Sequence, residues 1–247
     1  MKNDTAQVAK VRMMTVGQMK DLCAAAVQGV PTDGTFEVAE DVLGRKTEFV
    51  KHIRAFFPNP AELENPVKIW EDFYQKYLGL TVDLSGVKIP ERTAEQAKDF
   101  TRLIIVAGGL TNNQVYSACD KQFPWWKYVD DLNTAIPTNE RNPQNGSYAI
   151  WVRDTVEADE VHKNKSAKMV KSEGLKTETL LERMLHELKY FAETSKHLDV
   201  FKITLCSGSR CSDGNVPYVL WIDSMFKVNW YDADNRGGSL RPREVVS

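Results

Sequence analysis

The chain has 247 residues, 42% of them hydrophobic, enough to bury a full core in one large domain or in a smaller one with an appended module. Its 32 basic and 34 acidic residues leave a formal charge of -2, which offers no broad electrostatic footprint for nucleic acid or an anionic membrane. No stretch approaches the roughly 20 apolar residues that span a bilayer, and residues 1–29, interrupted by Lys10, Arg12, Lys20 and Asp21, hold no signal-peptide core, so a cytoplasmic location is expected.

Residues 15–28 place Val16, Met19, Leu22, Cys23 and Ala26 on one helical face, with Thr15 before them and Gly29 and Pro31 after. Residues 36–43 fit either a short strand or a helical turn. Residues 47–57 space Phe49, Val50, Ile53 and Phe57 as a helix, which Pro58-Asn59-Pro60 stops. A third helix over 66–78 carries Val67, Ile69, Trp70, Phe73, Tyr74 and Tyr77, an aromatic stripe of the kind that forms core. Residues 1–80 therefore predict a helical amino-terminal module. Residues 81–247 predict an α+β domain of short strands and packed helices, with the charged stretch 91–99 as the boundary region.

The apolar run 103–107 predicts a buried strand, and residues 111–122 a helix capped by Thr111. Gly108-Gly109 between them matches neither the dinucleotide nor the P-loop spacing, so a plain strand-to-helix connection is the better reading. The cluster Pro124-Trp125-Trp126-Lys127-Tyr128 has the rings to stack a sugar or base, but packing between layers is favoured. A polar loop over 138–146 leads into a strand over 148–154, and the charges of 154–174 predict a solvated segment. Residues 178–194 give the strongest helix, with Leu180, Leu181, Met184, Leu185, Leu188, Phe191 and Ala192 on one stripe. Its His186-Glu187 lacks the second histidine of a zinc-protease helix, because position 190 is Tyr.

Cys23, Cys119, Cys206 and Cys211 are too few and too scattered for a disulfide framework. Cys206 and Cys211 lack a second Cys or His pair, so no metal and no cofactor are expected. Cys206 reads as a core residue of a strand over 203–206, and Cys211 as part of a turn.

The final segment, 205–247, crowds aromatic, small polar and charged side chains onto two alternating stretches. By alternation Val219, Trp221, Phe226, Val228 and Trp230 face the core, so truncating Trp230 is expected to cost about 3–5 kcal/mol. Tyr218, Leu220, Asn229 and Tyr231 then face outward, joined by Asn235 and Gly237 and by Cys211 and Asn215 in the preceding turn. These eight residues, Tyr- and Asn-rich like a paratope, are the candidate ligand-binding set.

Gly208-Ser209-Arg210, Val216-Pro217, Trp221, Val228-x-Trp230 and Leu240-Arg241-x-Arg243 resemble the carboxyl end of variable proteins made by diversity-generating retroelements. The likeness is strongest over 148–247, although the Gly-Gly-x-Trp that opens the variable region of better-known members is missing. It implies a C-type-lectin-like, formylglycine-generating-enzyme-like fold for the α+β domain and a variable region over about 205–247. It also implies binding of an unidentified protein or other macromolecule, without catalysis, through residues that adenine miscopying diversifies. One alternative is an interaction or structural domain with a fixed surface. Another is an oxidoreductase of the formylglycine-generating type using Cys206 and Cys211.

Overall fold

The computed structural model describes residues 65–247, together with Gly44 and Glu48. The chain divides into two units, Met1–Pro58 and Asn59–Ser247, and the fold below is that of the second. The helices expected over 15–28 and 47–57 and the ambiguous 36–43 stretch lie outside the described residues, apart from Gly44 and the helical Glu48.

The first helix, α1 (Pro66–Phe73), begins with Asn65, whose side chain accepts from the Val67 N–H, and with Pro66 at the position where a missing N–H does no harm. It continues into a π turn, Tyr74–Leu78, and ends at Gly79, whose φ of 70° suits a residue without Cβ. Tyr74 is fully buried, donating to the Ile105 carbonyl and accepting from the Ala107 N–H, both at 2.9 Å. Trp70 and Phe73 enter the same core, which moves the unit boundary from the expected residue 80 to residue 58: the helix belongs to the α+β unit.

The stretch 91–99 is likewise no boundary. Arg92 lies 3.5 Å over the Trp151 ring, the Trp151 indole donates to the Pro90 carbonyl, and a short helix, α2 (Gln96–Asp99), leads to the buried Phe100. Strand β1 (Arg102–Val106) then pairs antiparallel with β4 (Tyr148–Val152), and Trp151 bridges to Val246 near the carboxyl end. Between them come α3 (Asn112–Asp120), β2 (Trp125–Lys127), α4 (Leu132–Ala135) and β3 (Thr138–Asn139). Thr111 and Gln114 form the capping box of α3, so two N–H groups at the helix start are satisfied reciprocally.

The longest helix, α6 (Leu180–Thr194), follows a short α5 (Ala167–Ser172) and uses Thr179 and Glu182 in the same way. It is buried nearly all round, including the charged Glu182, Arg183 and Glu187, and packs on α3 and β1. The main sheet has five strands in the order β2-β8-β7-β5-β9, from β5 (Ile203–Leu205), β7 (Val216–Ile222), β8 (Met225–Tyr231) and β9 (Leu240–Arg241). Its centre is antiparallel and its two edges, β2 on β8 and β9 on β5, are parallel. A small pair joins β3 to β6 (Ser209–Arg210). The class is α+β, and no helix among the described residues is long and apolar enough to cross a membrane.

The segment 154–174 departs from its expected solvation. Ala158, Asp159, His162, Ser166, Ala167 and Val170 are buried, because Asp159 pairs with Arg153 at 2.5 Å and α5 seats Ala167 against Leu205, Val216 and Leu240. Arg153 is near Asp159 in sequence, but the residues that cover Ala167 are remote.

At the centre Asp199, fully buried, accepts from Arg183 at 2.7 Å and from Arg243 at 2.8 Å. Burial raises the carboxyl's pKa, but the two guanidinium groups outweigh it and hold Asp199 below the ordinary range. Arg183 also reaches Glu187 at 2.9 Å, and Arg243 caps the Thr155 and Val156 carbonyls at 3.0 and 2.8 Å. Asp199→Asn keeps the shape but leaves the buried Arg243 without its carboxylate and Arg183 with Glu187 alone. Urea denaturation should show a loss of about 3–5 kcal/mol, and a loss under about 1 kcal/mol would mean that the cluster contributes little.

Candidate functional site

Strands β7 and β8 pair along their length, with Tyr218 opposite Asn229, Leu220 opposite Lys227 and Val216 opposite Tyr231. Val219, Phe226 and Val228 are fully buried on one face, where Phe226 stacks on Trp125 at 4.4 Å. Trp221, half-buried, stacks on His197 at 3.4 Å. On the other, outer face stand Tyr218, Leu220, Asn229 and Tyr231, all half-buried. The Tyr218 and Tyr231 rings stack at 4.2 Å, and burial, with Tyr231 second, pushes the Tyr218 hydroxyl up to about 12.

The outer face is roofed at one end and open at the other. Under the roof, Ile203, Tyr218, Tyr231 and Ala233 pack partly on Ala167, Leu205, Val216 and Leu240. The Lys168 N–H bonds the Ala233 carbonyl, and its ammonium pairs with Asp234 at 2.5 Å, so α5 and the loop that follows β8 clasp each other. Asn235 and Gly237, half-buried, lie in that loop, where each anchors a turn: the Asn235 N–H donates to Asp232 and the Gly237 carbonyl accepts from Leu240. At the open end Ile222 pairs with Met225, and Trp126, 43% exposed, sits beside Lys227 in the parallel register. Phe201, at the approach to β5, is 81% exposed.

Two assignments from the sequence change. Cys211, expected at the surface, is 7% exposed, with its sulfur 3.6 Å from the Tyr128 hydroxyl. Trp230, expected in the core, is 41% exposed. Alternation turns it to the side of Val228, but the core does not extend that far, and its indole lines a cleft of about 380 Å³ with Tyr128, Asp131, Cys211 and Asp213. Asn215 spends its side chain on Asp213 at 2.9 Å in the same loop. Tyr218, Leu220, Asn229 and Tyr231 thus form one group, while Cys211 belongs with the cleft. The Trp125-Trp126 pair splits as well, since Trp125 is core and Trp126 is not. Tyr128 belongs to the aromatic cluster expected to pack between layers, whereas Asp131 and Asp213 give no functional signal in the sequence; the local role of Asp131, a helix cap, is structural.

Several titratable groups elsewhere among the described residues are buried. Glu178 and His186 pair at 2.9 Å, both fully buried. Burial pushes the Glu178 carboxyl up to about 7 and His186 well below its usual value, which favours a neutral pair. Cys119 and Cys206 are fully buried, and burial raises both thiols well above the ordinary range. Asp159, His162 and Glu244 bring ligand-type atoms within 4.8 Å of one another. Arg153, however, donates to Asp159 at 2.5 Å and to Glu244 at 2.9 Å, placing a guanidinium where a cation would sit.

No family model, curated protein or solved structure matches the chain.

Two expectations follow from these clusters. Since Arg153 already balances Asp159 and Glu244, exhaustive chelation should leave the melting temperature unchanged, and a large downward shift would mark a structural metal. The raised Glu178 carboxyl binds a proton in the folded chain that the unfolded chain releases at lower pH, so this group costs stability progressively from about pH 4.5 to 7. Glu178→Gln removes that cost. Relative to wild type it should gain stability between pH 5 and 8 in paired urea melts, and a pH-independent difference would show that Glu178 is ionised throughout.

Proposed function

We propose that the chain is a ligand-binding protein with a diversified surface at its carboxyl end, a C-type-lectin-like variable protein of a diversity-generating retroelement. The observation that carries this reading is the division of the β7–β8 ribbon into two faces. Val219, Phe226 and Val228 are sealed in the core, while the alternate positions Tyr218, Leu220, Asn229 and Tyr231 remain half-exposed. Because successive side chains of a strand point to opposite faces, replacing the outer set leaves the inner packing untouched. Half-exposed tyrosines and an asparagine supply rigid contact area and adaptable hydrogen bonding, the composition used by antibody loops. Recognition of a protein or other macromolecule by this face needs no reacting group. Against an oxidising enzyme stands the burial of Cys206 and Cys211, whose raised pKa values disfavour the nucleophilic thiolate.

A second reading, a protein-interaction domain with a fixed surface, is favoured by Phe201, Ile222 and Trp126. They are 81%, 46% and 43% exposed around the open end of the same face, and apolar groups gathered at a surface mark interfaces. The flanking DNA separates the two. The diversified reading expects a reverse-transcriptase gene and a near-copy of the bases encoding 205–247 that differs chiefly at adenines. A flank with neither leaves the fixed surface. At the protein level Asn229→Ser should stay within about 0.5 kcal/mol of wild type, whereas Val228→Ala, fully buried, should cost about 2 kcal/mol or more by urea melt.

A further inference from the structure

The cleft beside Trp230 is built from segments distant in sequence: the chain after β2, the start of α4, the loop before β7 and the end of β8. Its volume of about 380 Å³ falls toward the lower end of small-ligand sites, roughly 300–1,000 Å³. That suits one long side chain better than an oligosaccharide.

Its walls have two characters. The Trp230 indole is 41% exposed, and among the described residues no ring stacks on it and no cation lies over it. Tyr128 adds a second ring, and Val129 and Ala135 add apolar surface. Asp131 and Asp213 also line the cleft. Asp131 caps α4 through the Asn133 and Thr134 N–H groups and takes the Asn113 amide at 2.7 Å. The Thr134 hydroxyl first, and then that amide, lower its pKa to about 2, so it is charged at neutral pH. Asp213 bonds only Asn215, at 3.0 and 2.9 Å. Among the described residues neither carboxylate has a Lys, Arg or His within 4.0 Å.

Two carboxylates without a cationic partner, Asp131 bonded by four neutral donors and Asp213 by two, beside an exposed indole and an apolar wall form the complement of a cation carried on an aliphatic stem. Tryptophan is the strongest cation-π partner among the aromatic residues, and methylene groups pack on apolar walls while the charged head stays at the carboxylates. Guanidinium fits better than ammonium, because it is less strongly hydrated, stacks flat on a ring and bonds a carboxylate through two parallel N–H groups. An α-carboxylate on the ligand would meet two like charges. We propose that this cleft is a binding site for an arginine side chain presented by a partner polypeptide. Trp230 faces the side of the sheet away from Tyr218, Asn229 and Tyr231, so the inference does not rest on a diversified outer face.

The test is calorimetric titration of the full chain with acetyl-Gly-Arg-Gly-amide, with its lysine, norleucine and glutamate counterparts, and with free L-arginine. The arginine peptide should bind saturably and at least fivefold more tightly than the others. Asp213→Asn should weaken it at least tenfold. That residue is exposed and the change isosteric, so folding is spared. Trp230→Ala should weaken it similarly, with Trp230→Phe in its place if the melt falls. Equal binding of the norleucine peptide, a preference for lysine, undetectable binding of the arginine peptide, or an unaffected Asp213→Asn would overturn the assignment. Tighter binding of free arginine would remove the polypeptide partner. Leu220→Ser and Asn229→Ser, on the outer face, should leave the affinity unchanged; a loss there that Asp213→Asn does not share would move the site to that face and refute the cleft. The arginine result and the flanking-DNA result can each fail alone.

Discussion

Asp199, held between Arg183 and Arg243 with all three side chains sealed from solvent, is the constraint on which the carboxyl-terminal half depends. Burying three charges is costly, and only close pairing with further hydrogen bonds offsets the desolvation. Those bonds are all made. The Thr204 hydroxyl donates to Asp199, the Ala158 N–H meets its other oxygen, and the Asp199 carbonyl accepts from the Trp221 N–H at 3.1 Å. One side chain and its carbonyl therefore fix α6, the 155–158 segment, β5, β7 and the chain end at residue 243 relative to one another. Gly208 adds a second close approach at the start of α6, where a Cβ would lie 2.6 Å from the Thr177 carbonyl.

Because the sheet is held from its inner side, the outer side has less to do. The inner face meets α6 and the aromatic cluster of Phe123, Trp125, His197 and Trp221. The outer face is steadied only at one end, by α5 and the loop after β8, and its open end carries apolar side chains that nothing among the described residues covers. Under the proposed reading, the packing that stabilises the sheet and the recognition assigned to the outer face lie on opposite sides of the same two strands. A surface that tolerates change needs this separation, and so does a fixed interface that must stay adhesive without compromising the fold.

Local signals are legible in the sequence, and non-local ones are not. The cap at Thr111, the strands predicted over 103–107 and 148–154 and found at Arg102–Val106 and Tyr148–Val152, and the alternation of β7 and β8 are properties of neighbouring residues. Alternation assigns a side chain to a face but does not say where the core ends, which is why Trp230 was placed inside. The buried polar groups of 154–174 do not stand out in the sequence because part of their partnering is distant: His162 meets the Glu244 carboxylate and Asp159 accepts from the Glu244 N–H. The same reason hid the anchoring of Arg92 on Trp151. Of the candidate binding residues, the four on β7 and β8 share a face as alternation required. The cleft was illegible, since Asp131 lies 99 residues before Trp230, and Asp213, 17 residues before it, carries no local pattern that ties it to the indole.

The central claim is that the outer face of the β7–β8 ribbon is free of the fold, and a deep substitution scan of residues 205–247 read by proteolytic stability tests it most directly. The account predicts that Leu220, Asn229 and Asn235 accept most side chains, while Val219, Phe226, Val228 and Arg243, all buried, accept almost none. Equal intolerance at the two sets would contradict it, because a face as constrained as the core has no freedom to vary.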